Sequence, residues 1–352
     1  MATEPTITVT EGTVTVNETR IGMASRVAVI GAFNSKTRYL VDVPNATQAH
    51  KIYPDSTTTF KGNEAIDYLF IGASSLVVAN ITTWSDDETP VAETTLTNEK
   101  LEAALELLTH EEFDILFIAD ELSDSAQTIV SSWLDTEFNG KCAHGQVAQL
   151  QKSTAAAYET SIATFNKNIY WMCTQQYTYY GELLDLNRSA ALFAGLIAGM
   201  MVNRSLTAKV IPNISAVTPE YTTEAGDIGA KLLELNVPFL KCRNRSTKVH
   251  YCVNSKLPNG LDLYINRVRD YIINRIAVET YLGEINNDIA LEGIGNVIEN
   301  IRYECVDVLG LLKDIEYRVE KGSGTCVNVI LERLLFDNII TDINITYNIE
   351  VE

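Results

Sequence analysis

The side chains of this sequence with the widest chemical range are four histidines, six cysteines and a few well-placed acids. Cys142 and His144 stand two positions apart, as do His250 and Cys252, and each pair offers two ligands of the kind zinc takes. A zinc site needs about four ligands, and neither pair has a second pair close by in the sequence. On a strand, residues two apart share a face, where thiols and imidazoles serve equally well as packed core. His50 and His110 have no such companion. Asp120 and Glu121 follow the apolar run of DILFIAD (114–120), at the carboxyl end of an expected strand, where α/β enzymes put catalytic groups. They are also ordinary solvated acids for a chain this acidic. No GxSxG nucleophile elbow and no phosphate-binding loop occurs, and GASS from Gly72 and GSGT from Gly322 have the wrong spacing. Gly293-Ile294-Gly295 lies in a helix-like stretch rather than between a strand and a helix, so it does not fit a dinucleotide site. The inventory points to no enzyme, no cofactor and no metal. The alternative that stays open is an α/β enzyme or ligand-binding module using loop carboxylates near Asp120.

The elements that would position these groups read as an alternation. VAVIG (27–31) is a short apolar strand, GNEAIDYLFI (62–71) a helix and LVVANI (76–81) a strand. The acidic, proline-containing run from Ser85 marks a surface loop and a possible sub-boundary near 85–96. Thr97 is placed to cap a helix with Leu101, Leu105 and Leu108 on one face, and Ser123 to cap another running to about Phe138. Strands over 141–150 and 168–174 alternate with helices over 153–165 and 187–203. Such alternation implies a largely parallel sheet covered on both faces. A helix ends before Pro238, a strand follows it within the segment that ends at Arg245, and a second strand runs from Lys248 to Asn254. Pro258, Asn259 and Gly260 are strong turn chemistry, and beyond them long helices are expected over 261–282 and 290–312, then strands over 326–334 and 342–351. The fold class is therefore α/β, a layered, mostly parallel core with a smaller α+β carboxyl-terminal domain and extended strand arms at both ends. The boundaries fall at 1–22, 23–256, 257–340 and 341–352.

Size and composition agree with a multidomain globular chain. At 352 residues it exceeds the roughly 250–300 at which one core stops growing. A formal net charge of −19 disfavours nucleic acid, since affinity for phosphate depends on Lys and Arg. It favours solubility and keeps monomers apart. The amino end lacks the pattern of a secretory signal, and the apolar stretch 190–202 is too short to span a bilayer, so the expectation is a cytoplasmic protein without membrane insertion. Cysteines 142, 173, 242, 252, 305 and 326, with no CxxC, fit reduced thiols. One concentration of positive charge stands out: Lys241, Arg243, Arg245 and Lys248, followed by Arg267, Arg269 and Arg275. It suits an acidic partner or another subunit, or it balances neighbouring acids such as Asp262, Asp270 and Glu279.

The two ends alternate with period two. Ile7, Val9, Val14 and Val16 alternate with threonines, and Ile343, Ile345, Tyr347, Ile349 and Val351 alternate with polar residues. Terminal strands with an apolar face either close a sheet within the chain or add to a sheet of another copy.

With these ends, with VAVIGAF at Val27, DILFIAD at Asp114, the "NISAVTP" and "NVPFLKCR" pieces after Lys209, and LYINRVRDYIINRI from Leu263, the chain resembles the contractile tail sheath proteins of phages and related injection systems. The resemblance covers most of the length and rests on the order of parts. It implies a structural subunit that polymerises as stacked hexameric rings around an inner tail tube and contracts to drive the tube through a cell envelope. The arms would complete sheets in neighbouring copies. Partners implied are the chain itself, the tube protein, and baseplate and tail terminator proteins, with assembly in the host cytoplasm and residence in the virion tail. Arg267, Arg269 and Arg275 become candidate tube contacts. The chain is short for the family, without the large outer insertions of bigger sheaths. A capsid or tube protein fits less well, those being generally β-rich.

Overall fold

The computed structural model describes residues 25–336, apart from 38–39, 86–90, 110, 112, 121, 138–147, 151, 165–169, 174, 203, 245–248, 276–287 and 322–326. Both terminal arms, Cys142, His144, His110 and Glu121 lie outside the described residues.

At the centre is a four-stranded sheet in the order Val41–Val43, Ser75–Asn80, Arg26–Gly31, Ile115–Ala119. Arg26–Gly31 pairs in parallel with both neighbours, Val29 lying opposite Val78 on one side and Phe117 on the other. From Val27 onward its residues are apolar without interruption because both faces are covered. Strand alternation divides them between two cores. Val27 and Val29 join one that includes Ile66 and Leu69 of the helix Lys61–Leu69 and most of the helix Leu186–Gly199. Ala28 and Ile30 join another built with Leu101, Leu105 and Leu108 of the helix Asn98–Leu108 and with Val130 of the helix Asp124–Glu137. Thr97 and Ser123 act as the expected caps, accepting from Lys100 N and Ala126 N.

The helix Leu186–Gly199 holds the longest apolar stretch, and no described helix is long and apolar enough to cross a membrane. Its glycines are packing devices. A Cβ at Gly195 would collide with the main-chain oxygen of Tyr68, and one at Gly72 with Gly195 and Gly199, so helix and neighbouring loop meet backbone to backbone.

Parallel pairing is narrower than the alternation suggests. It occurs in the central sheet and between Ala148–Leu150 and Trp171–Cys173, whereas six of nine pairings among the described residues are antiparallel. The reason is local: Gln176–Tyr179 with Glu182–Leu183, and Leu240–Asn244 with Val249–Cys252, are connected too tightly for the crossover a parallel pair requires.

After the turn at Pro258–Gly260 a third core begins. The helices Leu263–Arg275 and Asp288–Tyr303, a π-helical turn Glu304–Val308 and the hairpin Asp314–Lys321 with Val327–Leu335 enclose Val268, Ile272, Ile301, Cys305, Leu312 and Ile315. The second helix ends at Tyr303, sooner than its apolar pattern suggests, and Gly310 turns the chain at φ 57°.

Candidate interaction surfaces

The crevice that open α/β sheets use for ligands would lie at the carboxyl ends of Arg26–Gly31 and Ile115–Ala119. Here it is filled. A Cβ on Gly62 would stand 2.5 Å from the Phe33 ring and 2.6 Å from the Ala32 carbonyl, and Gly62 N donates to that carbonyl at 2.8 Å. Phe33 N is bound by Asn80 Oδ1 and Thr82 Oγ1, both at 3.0 Å. Asp120 is ion-paired with Lys61. A carboxylate held by an ammonium beside a packed aromatic is a strut, so the arrangement does not favour a carboxylate site.

The remaining chemical candidates are also tied into the fold. His250 is buried and its Nδ1 donates to the Ile214 carbonyl at 3.1 Å. Cys252 is fully buried; its thiol donates to Asn254 O at 2.8 Å, and burial pushes its pKa up, keeping it protonated where a metal would need thiolate. Gly293 and Gly295 sit within the helix Asp288–Tyr303, as their context suggests. A surface cleft of about 350 Å³ is lined by His50, Asp55, Glu64, Asp67 and Arg188 among others, with His50 Nε2 2.8 Å from Asp67 Oδ1. Among the described residues no group of three or more His, Cys, Asp or Glu is arranged to hold a metal.

The carboxyl-terminal hairpin is a different kind of surface. Its strands place Ile315 opposite Leu334, Tyr317 opposite Leu331 and Val319 opposite Val329 on one face. That face rests on the helix Asp288–Tyr303, where the Tyr317 hydroxyl donates to Gly295 O at 3.1 Å and lies 3.2 Å from Glu299 Oε2. The other face is ionic, with Arg333 3.2 Å from Glu316 and Arg318 3.2 Å from Glu332. A bulge between Glu316 and Tyr317 shifts the register. Arg302 fastens the base, its Nε 2.8 Å from Asp314 Oδ1, and this partner holds the Asp314 carboxyl below the usual carboxylate range. Among the described residues this sheet has two strands, so each strand has one outer edge without a strand partner. The first strand is not among the elements expected from the sequence, although the alternation of Ile315, Tyr317 and Val319 signals it; the helix expected to run to Leu312 ends instead at Tyr303.

The three candidate tube arginines part company. Arg267 is 2 % exposed, donates through Nη2 to Ser25 Oγ at 3.2 Å, and is pulled down to about 10 by burial. It is an internal contact, not a surface one, because helical spacing turns it toward the start of the central strand. Arg269 is half-buried, and the Arg275 side chain lies outside the described residues.

Residues 94–240 match the family described as the phage tail sheath protein central domain. Over this segment the chain is similar to phage tail sheath proteins. Solved structures extend the likeness in fold beyond that segment. The sheath tail protein of Listeria innocua is 13% identical with a TM-score of 0.62, covering 85% of this chain and 89% of its own. That of Desulfitobacterium hafniense is 13% identical with a TM-score of 0.64, covering 85% and 90%. A chain of the anti-feeding prophage helical sheath in its contracted state is also 13% identical with a TM-score of 0.64, covering 99% of both chains. No curated protein matches the sequence.

Proposed function

We propose that this chain is the polymerising subunit of a contractile sheath, stacking as hexameric rings around an inner tube and contracting to drive that tube through a cell envelope. The observation that carries the reading is the carboxyl-terminal hairpin, an antiparallel pair covered on one face with both outer edges open to strand addition among the described residues. The sequence supplies strands for those edges at its own two ends: Ile7, Val9, Val14 and Val16, and Ile343, Ile345, Tyr347, Ile349 and Val351. Taken from neighbouring copies, such strands make a heterologous contact that need not close on itself, which generates a helical polymer.

In this reading residues 1–22 and 341–352 are linking arms, 23–256 the layered core and 257–340 the tube-facing part. Arg269 and Arg275 remain as candidate tube contacts. Contraction is a rigid-body change of packing with the arms keeping copies joined. Partners are further copies, the tube, and baseplate and terminator proteins, and the chain resides in the tail after assembly in the host cytoplasm. Negative-stain microscopy of the purified chain tests this: striated tubes or discs are expected, and removal of residues 342–352 leaves folded monomers that no longer assemble. Tubes formed normally by the truncated chain would refute the arm mechanism.

A further inference from the structure

At least ten described lysines and arginines stand within ion-pair distance of a carboxylate. In a chain of net charge −19 that is the expected state of a cation. Others have none among the described residues, and Lys241 and Arg243 are two such cations two positions apart on one strand, Leu240–Asn244. Both lie on the outward side of the small sheet that this strand forms with Val249–Cys252. Lys241 is paired across from Tyr251, and Arg243 Cζ lies 5.3 Å from the centre of the Tyr251 ring. Lys241 is steadied by Thr223 Oγ1 at 2.8 Å. On the far side of Tyr251, Val210 is bridged to it and remains 44% exposed. The face thus has an apolar and aromatic centre with two positioned, uncompensated cations.

A complementary surface exists on the same molecule. On the helix Asn98–Leu108, Glu102 and Glu106 are exposed four residues apart, without a cation partner among the described residues. Like charges at that spacing repel and cost a few tenths of a kcal/mol. Leu107 beside them is 42% exposed. The two carboxylates are separated along the helix by about 6 Å of rise. The two cations are separated along their strand by about 7 Å. Charge, spacing and apolar content therefore match.

We propose that the Lys241–Arg243 face of one copy docks on the Glu102–Glu106 stripe of a second copy, forming an electrostatic contact within the central region, separate from the terminal arms. It rests on the polymer reading above for its biological setting. Because the two surfaces differ, the contact is heterologous and propagates. Because Arg243, Glu102 and Glu106 are exposed, the contact steers encounter and weakens with salt.

Complementary charge reversals in the full-length chain test it. K241E/R243E and E102K/E106K each raise the critical concentration for assembly at least tenfold over the unchanged chain, with thermal unfolding shifted by no more than a few degrees. Mixed together, the two variants co-assemble to within threefold of the unchanged chain, since each supplies what the other lacks. Sedimentation of the mixture at concentrations where neither variant associates alone scores the contact directly. A chain that forms no tubes, with variants that still pair on mixing, would defeat the sheath reading and leave the contact standing. Unchanged assembly of either reversal, or failure of the mixture to associate, overturns the contact. So does a K241E/R243E chain that assembles normally but no longer retains a co-expressed tube, because the occupant is then a different protein.

Discussion

The α/β body and the carboxyl-terminal hairpin show two ways of treating a β-sheet. In the body, Arg26–Gly31 is bordered by strands on both edges and covered on both faces, and two of the three cores meet across it. In the hairpin one face lies on a helix, the other is a lattice of exposed ion pairs, and both outer edges lack a strand among the described residues. The body has the properties of a part that must keep its shape. The hairpin has those of a part whose sheet is completed from elsewhere. A mutation in the buried cores of the body should therefore reach assembly only through folding, whereas one in the hairpin should reach it more directly.

The largest effect is expected at Gly195. Gly195→Val drives a branched side chain into the backbone of Tyr68 and Leu69, where neither of the two packed helices has a flexible group to move aside. Overpacking of a tight core costs about 1–3 kcal/mol, and backbone-to-backbone contact puts this site at the upper end or above. Thermal unfolding should fall steeply, and assembly should fail only as the folded population fails. A variant that melts normally would show that the body tolerates far more than its packing implies.

Ile315→Ala comes next. The side chain is 2% exposed within the third core, and large-to-small changes there cost about 2–5 kcal/mol, at the low end where a site can collapse toward solvent. Hydrogen exchange should rise first in the hairpin amides, with the central strand still protected, and assembly should weaken at temperatures where the body remains folded. Simultaneous loss of protection in both regions would erase the distinction between them.

Much of the body was legible because its signals are local and mutually consistent. Thr97 and Ser123 cap where their sequences place them, and apolar runs mark the three parallel strands of the central sheet. What could not be read is long-range. Nothing in the composition says that Gly62 closes the crevice over Phe33, or that Arg267 turns inward to Ser25 while Arg269 two positions on stays half-exposed. The basic cluster was visible as a run of charge, but that Lys241 and Arg243 share a face with Tyr251 and Val210 depends on pairing register. The hairpin's first strand was hidden by the helix before it, whose apolar period runs on through the π-helical turn.

Tyr317→Phe tests the attachment of the hairpin to its helix at finer scale. It removes a hydroxyl that donates to Gly295 O and leaves the ring in place. A hydrogen bond of this kind is worth about 1 kcal/mol net, so the shift should be small, confined to the hairpin and helix amides, and without effect on the central strand. A loss as large as that of Ile315→Ala would mean that the hydrogen bond, not apolar packing, holds the hairpin down.

The smallest effect is a pH dependence at the hairpin's base. The Asp314 carboxyl is held below the usual range chiefly by Arg302, with Ile315 N also donating to it at 2.9 Å. A carboxyl depressed in the folded state contributes stability that is present above its unfolded pKa and is lost as pH falls through the folded value. Asp314→Asn removes that contribution at neutral pH. The variant should therefore melt slightly below the unchanged chain near pH 7, and the gap should close as pH falls below about 4. The pair is exposed and screened, so the gap should also shrink with added salt. Comparison with Asp120→Asn separates local from general effects: Asp120 braces the filled crevice through Lys61, so its loss should spare hairpin protection and be read only in the body. If the two substitutions instead alter the same set of protected amides, body and hairpin unfold as one unit and the contrast between them is geometric only.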